Sequence, residues 1–172
     1  MHKGKHDSKK ITCTPIGIIH TEHRVPEETP AQPLFARGCS GRLEVFPEYA
    51  EGLKDLEGFS HLILLYHFHK AEDPKLTVQP FLEDATKGVF ATRHPSRPNH
   101  IGLSIVRLAS VEGTTLHIED VDMLDGTPLL DIKPYVPRFD HVAGARGGWT
   151  ANVPEEVARW RGRRGYRPKK PE

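Results

Sequence analysis

The chain predicts an all-β fold, a barrel or a sandwich, with one or two short helices at its edge. Three observations carry this. Short apolar runs recur along the chain, each closed by a Gly or Pro turn. Only two stretches carry the boundary signals of a helix. No strand-like run leads into a G-x-G-x-x-G turn and a helix, so nothing points to a doubly wound sheet. The chain also lacks an internal repeat.

The first strands are expected over residues 14–21 and 42–46. Residues 47–56 read as a short helix, with Pro47 suited to a first turn and Gly58 lying past the end. Further strands are expected over 60–69 and 88–92. Between the apolar runs that end at Phe90 and begin at Ile101 lies a loop rich in Arg and Pro. Pro95 and Pro98 fix their own φ and push His94 and Arg97 toward extended conformations. The loop is thereby stiffened and offers Arg93, Arg97 and Asn99 to a ligand, unless it is only a Pro-rich turn with solvated arginines. Strands follow over 101–110 and 115–121. Asp125-Gly126 is a tight turn, because both residues tolerate positive φ. The last strand is expected over 129–135. By alternation Leu130, Ile132 and Pro134 face one way, and Leu129, Asp131, Lys133 and Tyr135 the other, ~6–7 Å between neighbours. An acid, a base and a phenol on one surface suit a polar site; a plain solvent-facing strand has the same pattern. Residues 139–150, with three glycines, read as a loop leading away from the core, and 154–161 as a second short helix.

Composition bounds the function. The chain has 172 residues, an ordinary length for one domain with a sizeable core. Its two cysteines, Cys13 and Cys39, form neither a disulfide framework nor a CxxC zinc motif. The longest apolar run, residues 62–66, is far too short to span a membrane, and residues 1–10 are polar and basic rather than a signal segment. The expectation is a cytoplasmic protein whose first ten residues are disordered. The formal net charge of +1 hides an asymmetry. Residues 11–154 carry 13 Lys and Arg against 19 Asp and Glu, a net of −6. The end is basic, with Arg159, Arg161, Arg163, Arg164, Arg167, Lys169 and Lys170. Basic ends on an acidic body suit nucleic-acid phosphates, or serve only as a solvated tail.

Four stretches in order carry a family resemblance. They are Ile16-Gly17-Ile18-Ile19-His20-Thr21, Leu56-Glu57-Gly58-Phe59-Ser60-His61-Leu62 with Phe68-His69-Lys70, Val89-Phe90-Ala91-Thr92-Arg93 with Arg97-Pro98-Asn99-His100-Ile101-Gly102-Leu103-Ser104, and Leu124-Asp125-Gly126-Thr127-Pro128 with Asp131-Ile132-Lys133-Pro134-Tyr135-Val136-Pro137. Together they resemble the TsaA-like family, which includes tRNA methyltransferases. The resemblance implies a small antiparallel β-barrel over residues 11–137, usually paired as a homodimer, followed by an extension over 138–172. It implies S-adenosyl-L-methionine as cofactor, contacted by Pro30, Ala31, Gln32, His69, Lys70, Arg93, Leu103, Asp125, Gly126, Thr127 and Pro128. It further implies tRNA as acceptor, methylated on N6 of a threonylcarbamoyl-adenosine beside the anticodon.

That nitrogen is weakly nucleophilic and has to lose a proton, which a positioned carboxylate or phenolate can take. Asp131 and Tyr135 are the candidates on the shared strand face, with Lys133 beside them. The segment 30–38 is expected to cross to a partner copy, and the basic tail to take tRNA phosphates without affecting the cofactor. Two rival classes remain open. His67 and His69 alternate on one predicted strand face, with His61 further along it, which suits a metal-dependent hydrolase completed by His94, His100 or Glu44. A cofactor-binding RNA module without turnover is the other.

Overall fold

The computed structural model describes residues 10–166. The disorder expected of the N-terminal segment, and the basic residues Arg167, Lys169 and Lys170, fall outside the described residues. Six antiparallel strands close into a barrel: β1 (Gly17–Thr21), β2 (Ser40–Val45), β3 (His61–His67), β6 (Ile101–Glu112), β7 (Thr115–Glu119) and β8 (Thr127–Pro134). Around the barrel the order is β1, β2, β7, β6, β3, β8. Two short strands, β4 (Thr77–Val78) and β5 (Lys87–Gly88), pair with each other in a separate ribbon. Closure removes the free edges that an open sheet of this size would expose.

Period-two alternation fills the interior. Leu62, Leu64 and Tyr66 of β3 point inward beside Ser104, Val106 and Leu108 of β6, with Ile19, Leu43, Leu116, Ile118 and Leu129 completing the core. The Tyr66 ring lies against Gly102, where an added Cβ would fall 2.2 Å from a ring carbon. Only glycine leaves room for that ring, so the inward phenol depends on a residue on the neighbouring strand.

A bulge alters the faces of β8. Leu65 pairs with Asp131, but Tyr66 pairs with Leu129, so Leu130 is an extra residue. Leu129 is therefore buried inside while Asp131 lies on the outer wall, and the expected grouping of Leu129 with Asp131, Lys133 and Tyr135 does not hold.

Elsewhere the differences are local. The strand expected at 88–92 is a 3₁₀ turn over Val89–Ala91, because buried Val89 accepts bonds from both Thr92 N–H and Thr92 Oγ1–H. The helix expected at 47–56 is a 3₁₀ segment, Pro47–Leu53, cut from the turn Leu56–Gly58 by Asp55 at φ 64°. After the short helix α1 (Pro137–Asp140) the chain does not lead away. The Trp149 indole N–H bonds the Ala91 carbonyl at 2.8 Å, and Lys87 lies over its ring. The last helix among the described residues is α2 (Glu155–Arg163), close to the predicted span.

Candidate functional site

Strand direction gathers the loops. The end of β1, the start of β2, the end of β3, the end of β7, and the loops that enter β6 and β8 all meet at one mouth of the barrel. Residues 120–126 cross that mouth. Val121 N–H bonds the Cys39 carbonyl, Thr21 Oγ1 donates to the Met123 carbonyl at 2.9 Å, and Gly126 N–H bonds the Ile19 carbonyl at 2.9 Å. The Asp125-Gly126 turn expected from sequence thus lies at the barrel rim, with Gly126 at φ 75°.

Asp125 is held by the rim. Burial alone would raise its carboxyl, but the Thr21 N–H, the Arg24 guanidinium and His20 hold it below the usual carboxylate range. It is therefore a fixed anion. Beside it, Thr127 Oγ1 lies 3.4 Å from His69 Nδ1. Burial first, then Lys70 and His67, lower the His69 pKa, so this imidazole is neutral at neutral pH.

On the other side Arg93 is exposed and donates to Gln32 Oε1 at 2.6 Å. The Pro-stiffened loop supports it. Arg97 is not presented to a ligand; its guanidinium folds back on the Thr92 carbonyl at 3.0 Å, and His94 Nδ1 accepts the Ser96 N–H. Asn99 is solvent-exposed. The segment holding Gln32 is anchored in turn. Pro30 is buried, and the Ala31 N–H bonds the Gly162 carbonyl of α2 at 2.8 Å.

Of the residues expected to touch a cofactor, Arg93 meets Gln32 and His69 meets Thr127, with Asp125 and Gly126 on the same rim. Leu103 lies differently. It stands exposed on the outer wall, in one row with Leu65 and Asp131. Lys133, 2.8 Å from Asp131, shares that wall. Tyr135 packs edge-on against His61 at the far end of β3. The run from Thr127 to Tyr135 covers roughly 25 Å of extended chain, so within one chain the expected catalytic trio is remote from the mouth loops.

The histidine pair splits at the strand end. The third strand ends at His67, whose ring packs against His100, and the chain turns after Phe68 so that His69 faces Thr127. Among the described residues no three His, Cys, Asp or Glu side chains come together as metal ligands.

A buried polar chain was not anticipated from sequence. Tyr66 Oη and Ser104 Oγ are 3.0 Å apart, and Ser104 Oγ donates to Asp122 Oδ1 at 2.7 Å. Asp122 opens the stretch that carries the Asp-Gly turn. The available signal was Ser104, a hydroxyl at an inward position in a strand whose other inward side chains are apolar.

The architecture and the gathered loops define a small barrel protein with a ligand site at one mouth. Residues 18–141 match the tRNA-methyltransferase O N-terminal domain, and the chain belongs to that family. It is 56% identical over 139 residues to a probable S-adenosyl-L-methionine-binding protein of Pyrococcus abyssi, covering 81% of this chain and 76% of that one. It is 41% identical over 141 residues to the human tRNA (adenine(37)-N6)-methyltransferase, covering 78% of this chain and 32% of that one. The crystal structure of TrmO from Pseudomonas aeruginosa superposes with a TM-score of 0.69 at 43% identity, covering 82% of this chain and 63% of that one. The chain thus spans about a third of the human relative and under two thirds of the solved TrmO chain.

Proposed function

We propose that this chain binds S-adenosylmethionine at the barrel mouth and methylates N6 of a threonylcarbamoyl-adenosine beside the anticodon of tRNA. The observation that carries the proposal is the meeting, at one mouth, of an exposed arginine, a fixed carboxylate and a neutral imidazole in a chain of the TrmO N-terminal domain family. The donor set suits the cofactor. Arg93 is free to form a charge-assisted pair with a carboxylate while Gln32 orients its guanidinium. Asp125 accepts ribose hydroxyls or faces a cationic centre, and the backbone carbonyl of Gly126 meets the adenine edge. His69, Lys70 and Thr127–Pro128 wall the same space, and Pro30–Ala31 hold Gln32 in position. When bound, the cofactor supplies an electrophilic methyl group on a sulfonium.

A homodimer is part of this proposal. The outer wall carries exposed Ile101, Leu103 and Ile105, an apolar stripe that a second copy would cover. Leu103, Asp131 and Lys133 would then face the partner, which is how they would contribute to a site. The segment 30–38 is less suited to crossing, since α2 of the same chain packs on it. A cytoplasmic location follows from a tRNA acceptor; no described helix is long and apolar enough to cross a membrane.

Transfer of labelled methyl groups to tRNA, with and without the threonylcarbamoyl modification, tests the reading. Label in the modified tRNA alone is the expected result. Cofactor binding by calorimetry with no label in either tRNA would instead identify a binding module without turnover.

A further inference from the structure

The buried polar chain ends on a carboxylate that no part of the site described above uses. Tyr66 reaches Ser104 from β3, Ser104 reaches Asp122 from β6, and Asp122 lies in the segment that crosses the mouth, three residues before Asp125. Because Ser104 donates to Asp122, its own oxygen accepts from the Tyr66 hydroxyl. Burial raises the Tyr66 pKa above its ordinary value, so the phenol keeps the proton it donates. The chain therefore runs one way, from phenol to hydroxyl to carboxylate. Outside the row, the Arg93 guanidinium is the charged group that lowers the pKa at both ends of it. A hydrogen-bonded row of this kind inside an otherwise apolar barrel is expensive to bury and fixes the direction of its last member.

We infer that Asp122 is the proton acceptor for the amine that is methylated, with Ser104 and Tyr66 as its positioning residues. The inference rests on the N6-methylation reading and deepens it. The N6–H bond breaks and its electron pair stays on nitrogen. The proton forms an O–H bond on the Asp122 carboxylate, which becomes a neutral acid. The pair left on nitrogen forms the new N–C bond to the methyl group while the donor's S–C bond breaks with its electron pair staying on sulfur. The sulfonium thus leaves as a neutral thioether, and the carboxylate's negative charge and the donor's positive charge are both discharged.

The other carboxylates suit this step less well. Asp125 is held ionised by Arg24 and the Thr21 N–H, which makes it a weak base. Asp131 lies on the outer wall in contact with Lys133. Asp122 is different: burial, opposed by the Ser104 hydrogen bond and the Arg93 charge, pushes its carboxyl up to about 7. An acceptor is most effective when its pKa lies near the working pH.

The test uses Asp122→Asn, Ser104→Ala and the unaltered protein. Carbon-13 NMR of aspartate-labelled protein without cofactor should find one carboxyl titrating near 7. That signal should vanish in Asp122→Asn. It should move to higher pH in Ser104→Ala, because the missing hydrogen bond favoured the ionised form. Single-turnover methyl transfer should show an acid limb with the same apparent pKa, shifted in the same direction by Ser104→Ala and absent from Asp122→Asn. Asp122→Asn should lose at least ~100-fold in rate at pH 8, the usual size of general base catalysis, with cofactor affinity within about twofold of the unaltered protein. An Asp122→Asn protein that transfers methyl at the original rate with its acid limb intact overturns the inference and leaves the methyltransferase reading standing. An unaltered protein that methylates no tRNA overturns both.

Discussion

Arg93 is the residue on which cofactor affinity should depend most. Its guanidinium is exposed and bonded to one neutral partner, Gln32, which orients it for a charge-assisted pair with a carboxylate. Arg93→Ala should weaken binding by about 1.5–3 kcal/mol, or roughly 10- to 150-fold, by calorimetry. Unchanged affinity would remove Arg93 from the site. Asp122 should also be visible in stability. Its carboxyl is raised above the ordinary value of 3.8, so between that pH and about 7 the folded protein holds a proton that the unfolded chain has lost. Its contribution is fully present below the unfolded pKa and is lost as pH rises through about 7. Asp122→Asn should therefore gain stability relative to the unaltered protein between pH 5 and pH 8, measured by denaturant unfolding. Asp125 has the opposite sign, since its lowered carboxyl stabilises the fold near neutrality and ceases to do so on acidification. A stability difference that is flat with pH would show that Asp122 does not titrate in this range.

The helix α2 acts on the site although it carries none of it. Its Gly162 carbonyl accepts the Ala31 N–H, and the Phe35 ring lies where a Gly162 Cβ would be, 2.3 Å away. Arg164 donates to the Pro26 carbonyl at 2.8 Å, Gly165 N–H bonds the Glu27 carbonyl, and Arg161 pairs with Asp84. The bonds to Pro26, Glu27 and Ala31 hold the segment that includes Gln32. Gly162→Val should cost ~1–3 kcal/mol through overpacking. Cofactor affinity should fall with it, because Ala31 and Gln32 move. A lowered melting temperature with unchanged affinity would confine α2 to stabilising the fold. The same contacts tie residues 161–165 to the body, so removal of residues 161–172 should lower cofactor affinity as well as any RNA binding. The exposed arginines are the cleaner probe. Arg159→Gln with Arg163→Gln leaves the packed face intact and should lower the salt slope of tRNA binding by ~0.7–0.9 for each phosphate that is no longer neutralised.

For the whole molecule, the question is what covers the outer wall. Ile101, Leu103 and Ile105 are about two-fifths exposed, at 43%, 44% and 39%, and alternate with the inward residues of β6. One exposed Leu is ordinary, but three in register on one strand, beside Ile63 and Leu65, form a stripe that water covers poorly. Leu103→Asp should convert a dimer to a monomer by light scattering at micromolar concentration while leaving far-ultraviolet circular dichroism unchanged. If the unaltered protein is itself a monomer, the stripe serves another purpose. The acidic body and the basic helix should also orient tRNA, since phosphates are repelled by the one and attracted by the other.

Turn residues and period-two alternation are local properties of the chain, and they were enough for the all-β class, the Asp-Gly turn, the stiffened arginine loop and the approximate spans of the barrel strands, but not for residues 88–92, which turn instead of extending. The family motifs supplied a barrel and a set of mouth residues that local rules do not contain. The remainder depends on contacts between distant parts of the chain. The bulge at Leu130 turned Leu129 away from Asp131, and no run of residue types announces an extra residue opposite Tyr66. His67 and His69 separated because β3 ended between them. Asp122, Ser104 and Tyr66 lie 18 and 38 residues apart along the chain and form one hydrogen-bonded row only when the barrel closes. The same closure leaves Asp122 half-buried against the Ser104 hydroxyl, and the raised carboxyl is a property of that setting rather than of the residue.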